Sequence, residues 1–275
     1  MQPSDEARQP WQLEMFGRSL KKRQKLEALL AVLGDVSDQR CLLITCGDNN
    51  GALNWHFRAH GGAWVWGDVA GDNLAEMGEL LGEPVLQTPE DSFPFDENEF
   101  DRVVSIDVLE HLDDDQIFLS EVRRVLRPGG RAIVTVPNGD PKLLANRIKW
   151  RLGMTPEVYG HTRAGYSGPE LRGTMEQAGF TPISDSGYSR FFTEMMELGI
   201  NFCYVFVLSR RKGKTEPGHI APASAGELKT YGAAYRLYSL AHPVMRLVST
   251  LDGLLPAHTN NAVIVAAVEP GMGSR

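Results

Sequence analysis

Cysteine is scarce in this chain, and its scarcity excludes two kinds of site. The 275 residues include three cysteines, Cys41, Cys46 and Cys203, and no two of them have the CxxC spacing. An odd number of widely separated thiols indicates neither a disulfide framework nor a zinc site. The composition therefore favours a reducing compartment, and we expect a cytoplasmic protein.

Positive charge and long apolar runs are also lacking. The 28 Lys and Arg residues are outnumbered by 35 Asp and Glu residues, which gives a net charge of -7. This balance argues against a general nucleic-acid binder, because such a protein must neutralise many phosphates. No apolar run approaches the roughly 20 residues that a membrane-spanning helix needs, and the polar residues 1–11 do not resemble a secretory signal. We expect a protein that is soluble or lies on a membrane surface.

What the chain does contain is an alternation of helical stretches and short apolar runs. Leucines recur at helical spacing between Ser19 and Leu33, and they predict a helix that covers a sheet. The apolar runs that predict strands are Cys41–Cys46, Ala63–Trp66, Pro84–Leu86, Arg102–Ile106, Ala132–Val136 and Ala262–Val268. Strands that alternate with helices predict an α/β protein with a doubly wound, parallel sheet.

Glycines and polar side chains follow the predicted strands, where an open parallel sheet binds its ligands. Cys46, Gly47 and Gly51 follow the first predicted strand, and Asp68, with its neighbour Val69, ends the second. Glu90 and Asp91 follow the third, and Asp107, Glu110 and His111 follow the fourth. Glycines after the first strand let the backbone approach a ligand, and the following helix offers free amides. The Asp68 carboxylate is placed to accept hydrogen bonds from two ribose hydroxyls.

Three further segments together resemble one family of enzymes. They are Phe93–Asp101, Val108–Leu112 and Arg124–Gly130, and the similarity continues through Val136–Asn138 and His161–Arg163 to Ala178–Phe180. These segments resemble class I S-adenosylmethionine (SAM) dependent methyltransferases, of the methyltransferase type 11 group related to the ubiquinone-biosynthesis enzymes. The resemblance covers about half of the chain.

The resemblance implies a Rossmann-like domain with a mostly parallel seven-stranded sheet and SAM as its cofactor. It also implies the position of each part of SAM: the methionyl group near Gly47 and Gly51, the ribose on Asp68, the adenine amine near Glu90 or Asp91, and the methionyl amine beside Asp107. One departure concerns the first strand. Leu43 and Thr45 stand where the family has an acidic residue and a glycine.

Methyl transfer is a displacement at an already activated carbon, so positioning supplies much of the acceleration. A hydroxyl acceptor also needs a base, and we predict His111 and His161 for that role. Tyr159 and Tyr166 follow the fifth strand and are predicted to contact the substrate. The acidic run Asp113–Asp115 resembles a metal cluster, but a first helical turn favours acids through the helix dipole, so we predict no metal site.

The segment between the last two strands, residues 190–260, is too long for a simple connection. Two amphipathic stretches, Phe191–Phe206 and Tyr231–Leu254, predict a helical insertion that forms a lid. Their apolar faces pack on the protein or on each other, or else they contact a membrane. Two basic clusters, Arg18–Lys25 and Arg210–Lys214, would attract anionic lipid in the second alternative.

Within the first amphipathic stretch, the polar face is predicted opposite the apolar one and consists of Arg190, Thr193, Glu194, Glu197 and Asn201.

The predicted domains are residues 1–39 (a covering helix), 40–189 (the SAM-binding domain), 190–260 (the helical insertion) and 261–275 (the final strand and tail).

The predicted function is methyl transfer to a small, apolar acceptor, which would be a lipid, a quinone-like ring or a natural product, with O-methylation favoured. Two alternatives come from other classes. The departures at Leu43 and Thr45 are consistent with an inactive methyltransferase fold that binds or scaffolds a partner. A nicotinamide-dependent oxidoreductase is disfavoured because the GxGxxG spacing is absent. The sequence leaves the oligomeric state open.

Overall fold

A single seven-stranded sheet organises the protein in a computed structural model that describes residues 9–47, 50–208 and 232–271. The strands are β1 (Arg40–Thr45), β2 (Ala63–Asp68), β3 (Val85–Gln87), β4 (Phe100–Ile106), β5 (Leu126–Pro137), β6 (Thr181–Tyr188) and β7 (Ala262–Val268). Their order is β3-β2-β1-β4-β5-β7-β6, and only β7 is antiparallel to its neighbours β5 and β6. The predicted Rossmann-like, mostly parallel sheet is confirmed.

Helices cover both faces of the sheet. They are α1 (Trp11–Arg18), α2 (Leu20–Leu33), α3 (Ala52–Ala59), α4 (Leu74–Leu81), α5 (Asp115–Val125), α6 (Leu144–Arg151), α7 (Gly168–Gln177), α8 (Phe191–Phe202) and α9 (Gly232–Ser249). Alternate side chains of a strand point to opposite faces, so Leu42 and Ile44 of β1 join one core while Cys41 and Leu43 join the other. Because β1 is buried on both sides, its residues 41–44 are all apolar.

The insertion between β6 and β7 consists of α8, a π-helical turn (Cys203–Leu208) and α9. Three residues of the predicted polar face of α8, Thr193, Glu194 and Asn201, are buried. Charged partners on α2 and α6 compensate the burial of Glu194. The predicted cluster Arg210–Lys214 lies outside the described residues.

A third apolar cluster lies beneath the insertion. Leu198 of α8 and Val205 of the π-helical turn pack with Met154, and half-buried Tyr159 and Phe202 border them. Part of the apolar surface of α8 is therefore covered by the loop that follows α6. Among the described residues, no helix combines the length and the apolar character needed to cross a bilayer.

A proline within the second amphipathic stretch, Pro243, predicts a bend or an interruption, but helix α9 continues through it. A proline removes one backbone hydrogen bond, which is a local loss that neighbouring turns can tolerate when the helix is held elsewhere. Tyr238 supplies such an anchor, since its hydroxyl donates to the carbonyl of Arg18. Ser239 supplies a second, because its hydroxyl accepts a hydrogen bond from the guanidinium of Arg18.

The start of α8 is capped by a carboxylate from the distant end of the insertion. Backbone amides of Arg190, Phe192 and Thr193 donate to Asp252 at 3.1, 2.8 and 3.2 Å.

Replacing Asp252 with alanine is expected to lower the free energy of unfolding by about 2 kcal/mol, because buried helix amides lose their acceptor. Urea unfolding measures this loss. The exposed Asp38, replaced in the same way, should change stability by less than about 0.5 kcal/mol, and equal losses in both variants would contradict the capping role.

Candidate active site

The carboxyl ends of β1 and β2 meet at Asp68, which is buried. Its carboxylate accepts hydrogen bonds from the Thr45 hydroxyl at 2.6 Å, the Gly47 amide at 3.2 Å and the Gly71 amide at 2.9 Å. The Gly47 amide lies 3.2 Å from both carboxylate oxygens, so the three donors fix the orientation of the group. Thr45, which replaces the family's glycine, therefore helps to hold the carboxylate that the resemblance assigns to the ribose.

The loop after β1 has the backbone form that a close ligand approach requires. Gly47 and Gly51 have φ values of 68° and 84°, in the left-handed region that favours glycine. A Cβ on Gly47 would lie 3.1 Å from the Cβ of Ala70, and one on Gly51 would lie 3.3 Å from Met77. Helix α3 begins directly after Gly51, and its first amide, that of Ala52, donates to the Asn50 side chain at 3.2 Å. We call the backbone at Gly47 and Gly51 the glycine cradle; the neighbouring Cys46 is buried.

The residues that follow β2 and β3 flank this cradle. Val69 continues from Asp68, and its amide donates to the Thr45 carbonyl at 2.8 Å. Beyond β3, Glu90 is half-buried and Asp91 is exposed. The Asp91 carboxylate accepts the Ser92 hydroxyl at 3.0 Å. Of the two predicted adenine contacts, Glu90 is therefore the more enclosed.

Asp107 ends β4 in a strained conformation and pairs with a lysine that the sequence reasoning missed. Its φ is 51°, which is rare outside glycine and is often stored at functional sites. The Lys25 ammonium, from α2, forms an ion pair and hydrogen bond with the Asp107 carboxylate. The positive charge of Lys25 thus lies on the group that the resemblance places beside the methionyl amine.

The two predicted catalytic histidines come together on the neighbouring loops. The rings of His111 and His161 lie 4.8 Å apart, and Tyr159 lies 5.7 Å from His161. Burial, followed by the nearby His111, lowers the pKa of His161 to about 4, so its imidazole is neutral near pH 7. Nδ1 of His111 lies 3.1 Å from the Gly160 carbonyl and donates to it, because a carbonyl oxygen can only accept.

Glu110 stands beside the histidine pair. One ligand atom each from Glu110, His111 and His161 lies within 4.8 Å of the others. A carboxylate and two imidazoles form a donor set that suits a divalent cation. These residues differ from the Asp113–Asp115 run that the sequence suggested and rejected. Asp114 of that run instead caps α5, because its side chain accepts hydrogen bonds from the amides of Gln116 and Ile117.

Tyr166, the second predicted substrate contact, has a different environment from Tyr159. Its hydroxyl donates to Asp115 at 2.7 Å and accepts from Arg163 at 2.7 Å. The ring is buried in the core beneath α5 and α7. In contrast, Tyr159 lies against His161, and burial raises the pKa of its hydroxyl to about 12.

A buried ion network borders the histidine pair and was also missed by the sequence reasoning. The Glu194 carboxylate lies 2.7 Å from Lys21 and 3.3 Å from Lys149, and it accepts the Ser189 hydroxyl at 2.7 Å. Burial alone would raise the pKa of Glu194, but the two ammonium groups lower it to about 2. The network joins α8 to α2 and α6, so it holds the insertion over the site.

Comparisons with known proteins place this geometry in a family context. Residues 43–134 match the family described as a methyltransferase domain. A ubiquinone biosynthesis O-methyltransferase from Dinoroseobacter shibae is 27% identical over 181 residues, which span 62% of this chain and 68% of that protein. A probable S-adenosylmethionine-dependent methyltransferase from Mycolicibacterium smegmatis is 41% identical over 114 residues, which span 41% of this chain and 35% of that protein.

A solved structure extends the likeness beyond the matched segment. Phosphoethanolamine N-methyltransferase 2 from Haemonchus contortus, in complex with S-adenosyl-L-methionine, has a TM-score of 0.54 and 18% identity. The similarity covers 90% of this chain and 52% of that one. At this identity the likeness shows a shared fold.

Proposed function

This chain contains a methyltransferase domain of the SAM-dependent type, and from this premise we propose that it methylates a hydroxyl group on a small acceptor with an apolar body. The acceptor would be a lipid, a quinone-like ring or a natural product. The observation that carries the proposal is the half-buried pair His111 and His161 at the carboxyl edge of the sheet, next to Tyr159. A neutral imidazole there can accept the hydroxyl proton.

The glycine cradle and the two strand-end carboxylates fit SAM. Gly47 and Gly51 would lie along its methionyl part, Asp68 would accept from the ribose, and Asp107 would face the amine. When bound, SAM supplies a methyl group on a positively charged sulfur, which makes that carbon the site of attack. The chain itself contributes position and orientation, the factor that dominates such displacements.

His161 is the group that we assign to the acceptor proton. Its imidazole is neutral near pH 7 because burial, followed by the nearby His111, lowers its pKa to about 4. His111 has its Nε2 free of the Gly160 contact and can orient the acceptor. The apolar cluster around Met154 and Leu198 lies on the same side as Tyr159 and supports an apolar acceptor body.

The Lys25–Asp107 pair favours a second candidate, a methyltransferase fold that acts as a binding or scaffolding partner. An ammonium already on the Asp107 carboxylate competes with the amine of SAM for the same charge. For SAM to bind in the family's manner, Lys25 must move or share the carboxylate. This candidate therefore predicts that SAM does not stabilise the protein.

Thermal unfolding separates the two candidates. A ligand that binds only the folded state stabilises it by about 2.7 kcal/mol at a concentration of 100 times Kd. We expect SAM and its demethylated product to raise the Tm of the wild type, and Asp68→Ala to abolish the shift. Asp38→Ala, a change at an exposed site, should keep it. If neither ligand raises the Tm, the scaffold is favoured. If NAD alone raises the Tm, the assignment as a methyltransferase is overturned.

A panel of acceptors then tests the hydroxyl chemistry. Hydroxylated aromatic rings with and without an apolar chain are incubated with SAM, and the demethylated product is measured. We expect turnover to require a free hydroxyl and to increase with the apolar chain. Turnover of amines in preference to hydroxyls would contradict O-methylation while leaving SAM binding intact.

A further inference from the structure

One side of the insertion is apolar and faces outward. Six aliphatic side chains of α9 and the turn after it follow a 3-4-3-4-3 spacing, and we call them the leucine face: Leu237, Leu240, Val244, Leu247, Leu251 and Leu254. Their exposed fractions range from 39% at Leu251 to 82% at Leu254. Residues with this spacing line one side of a helix. The face extends over about 25 Å at a rise of 1.5 Å per residue.

The opposite side of α9 is held against the protein. The Tyr235 hydroxyl donates to Glu14 at 3.2 Å, and the Arg18 guanidinium lies 4.9 Å from the centre of the Tyr235 ring. Tyr238 donates to the Arg18 carbonyl. These contacts with α1 determine which side of α9 points outward. The leucine face is thus the outer surface of an anchored helix.

The charge of α9 indicates what covers the leucine face. Residues 232–251 contain Arg236 and Arg246 and no acidic residue, in a chain whose net charge is -7. Both arginines are exposed. Two copies joined through this face would bring arginines near arginines in either orientation, whereas an anionic lipid surface would attract them.

We propose that the leucine face is a peripheral membrane-binding surface for bilayers that contain anionic lipid. Helix α9 lies parallel to the membrane, its leucines enter the boundary between head groups and acyl chains, and Arg236 and Arg246 contact lipid phosphates. Of the predicted basic cluster Arg18–Lys25, Lys21 and Lys25 form ion pairs within the site, so the proposal rests on Arg236 and Arg246. The proposal does not depend on the acceptor or on SAM binding.

Vesicle flotation of the full chain tests this proposal. We expect the protein to float with vesicles of phosphatidylcholine and phosphatidylglycerol and to bind pure phosphatidylcholine more weakly. The double variant Leu240→Gln/Leu247→Gln should bind at least about tenfold more weakly, because it loses the burial of two exposed leucines. Arg236→Gln/Arg246→Gln should reduce the preference for anionic vesicles.

A matched variant controls for a general loss of surface apolarity. Ile117 and Ile183 are 42% and 49% exposed on other elements, and Ile117→Gln/Ile183→Gln should float as the wild type does. The proposal is overturned if the wild type does not float, or if the leucine variant floats equally well. It is also overturned if sedimentation shows a dimer that the leucine variant dissociates while neither protein binds vesicles.

Discussion

Replacing His161 with alanine is expected to lower kcat by about 100- to 10,000-fold while SAM still stabilises the protein. The imidazole lies 4.8 Å from the ring of His111 and beside Tyr159, and His161 is not among the residues predicted to contact SAM. The variant therefore loses the proton acceptor and keeps the cofactor site. Product formation with the best hydroxyl acceptor, together with the SAM-induced shift in Tm, measures the two properties separately.

The exposed His258 provides the matched control. It lies in a turn of the insertion, and His258→Ala should leave both kcat and the SAM shift unchanged. If His161→Ala retains near wild-type kcat, His161 is not the base. If His161→Ala loses the SAM-induced shift in Tm, the side chain supports the cofactor site instead of the acceptor.

Chelation distinguishes two roles for His161. Glu110, His111 and His161 form a donor set that suits a divalent cation. A base at His161 predicts that wild-type kcat survives treatment with EDTA. Loss of activity on chelation, with recovery on addition of magnesium or zinc, would assign the histidines to a cation. The hydroxyl would then be activated by that ion.

The strands could be predicted because their apolar runs are local signals. Residues 41–46 carry no polar side chain except Thr45, and both cores of the sheet require that pattern. The position of Asp68 at the end of β2 followed from the same reasoning. Its hydrogen bonds did not, because the donor hydroxyl of Thr45 lies on another strand and the sequence showed only a departure from the family pattern.

The ion pairs of the site could not be predicted from local patterns. Lys25 and Asp107 are 82 residues apart in the chain, and helical spacing shows only that Lys25 lies among the polar residues of α2. The sequence placed Glu194 on the polar face of an amphipathic helix, and such a face is usually exposed to solvent. Glu194 is buried instead because two lysines from other helices, Lys21 and Lys149, contact its carboxylate. Both lysines are far from Glu194 in the sequence, so no local pattern predicts the contacts.

These missed contacts join the insertion to the sheet domain. Lys21 of α2 and Lys149 of α6 both reach Glu194 of α8, and Asp252 caps the same helix from the end of the insertion. The histidine pair lies beneath α8. Loss of either connection should therefore weaken acceptor binding more than SAM binding, because the glycine cradle is held by β1, β2 and α3.

Replacing Glu194 with alanine is expected to lower the free energy of unfolding by about 3–5 kcal/mol. Only 2% of the residue is exposed, and its removal leaves the ammonium groups of Lys21 and Lys149 near each other without their shared carboxylate. Urea unfolding measures the loss. Glu176→Ala, at an exposed position of α7, should change stability by less than about 0.5 kcal/mol.

The dependence of this loss on pH provides an independent check. The lysines lower the pKa of Glu194 from 4.5 to about 2, so its contribution to stability is full above pH 4.5 and disappears as the pH falls towards 2. The stability difference between wild type and Glu194→Ala should therefore shrink over that interval. A difference that stays constant from neutral pH to pH 2 would mean that Glu194 stabilises the fold by packing, because only the ionised carboxylate can pair with the lysines.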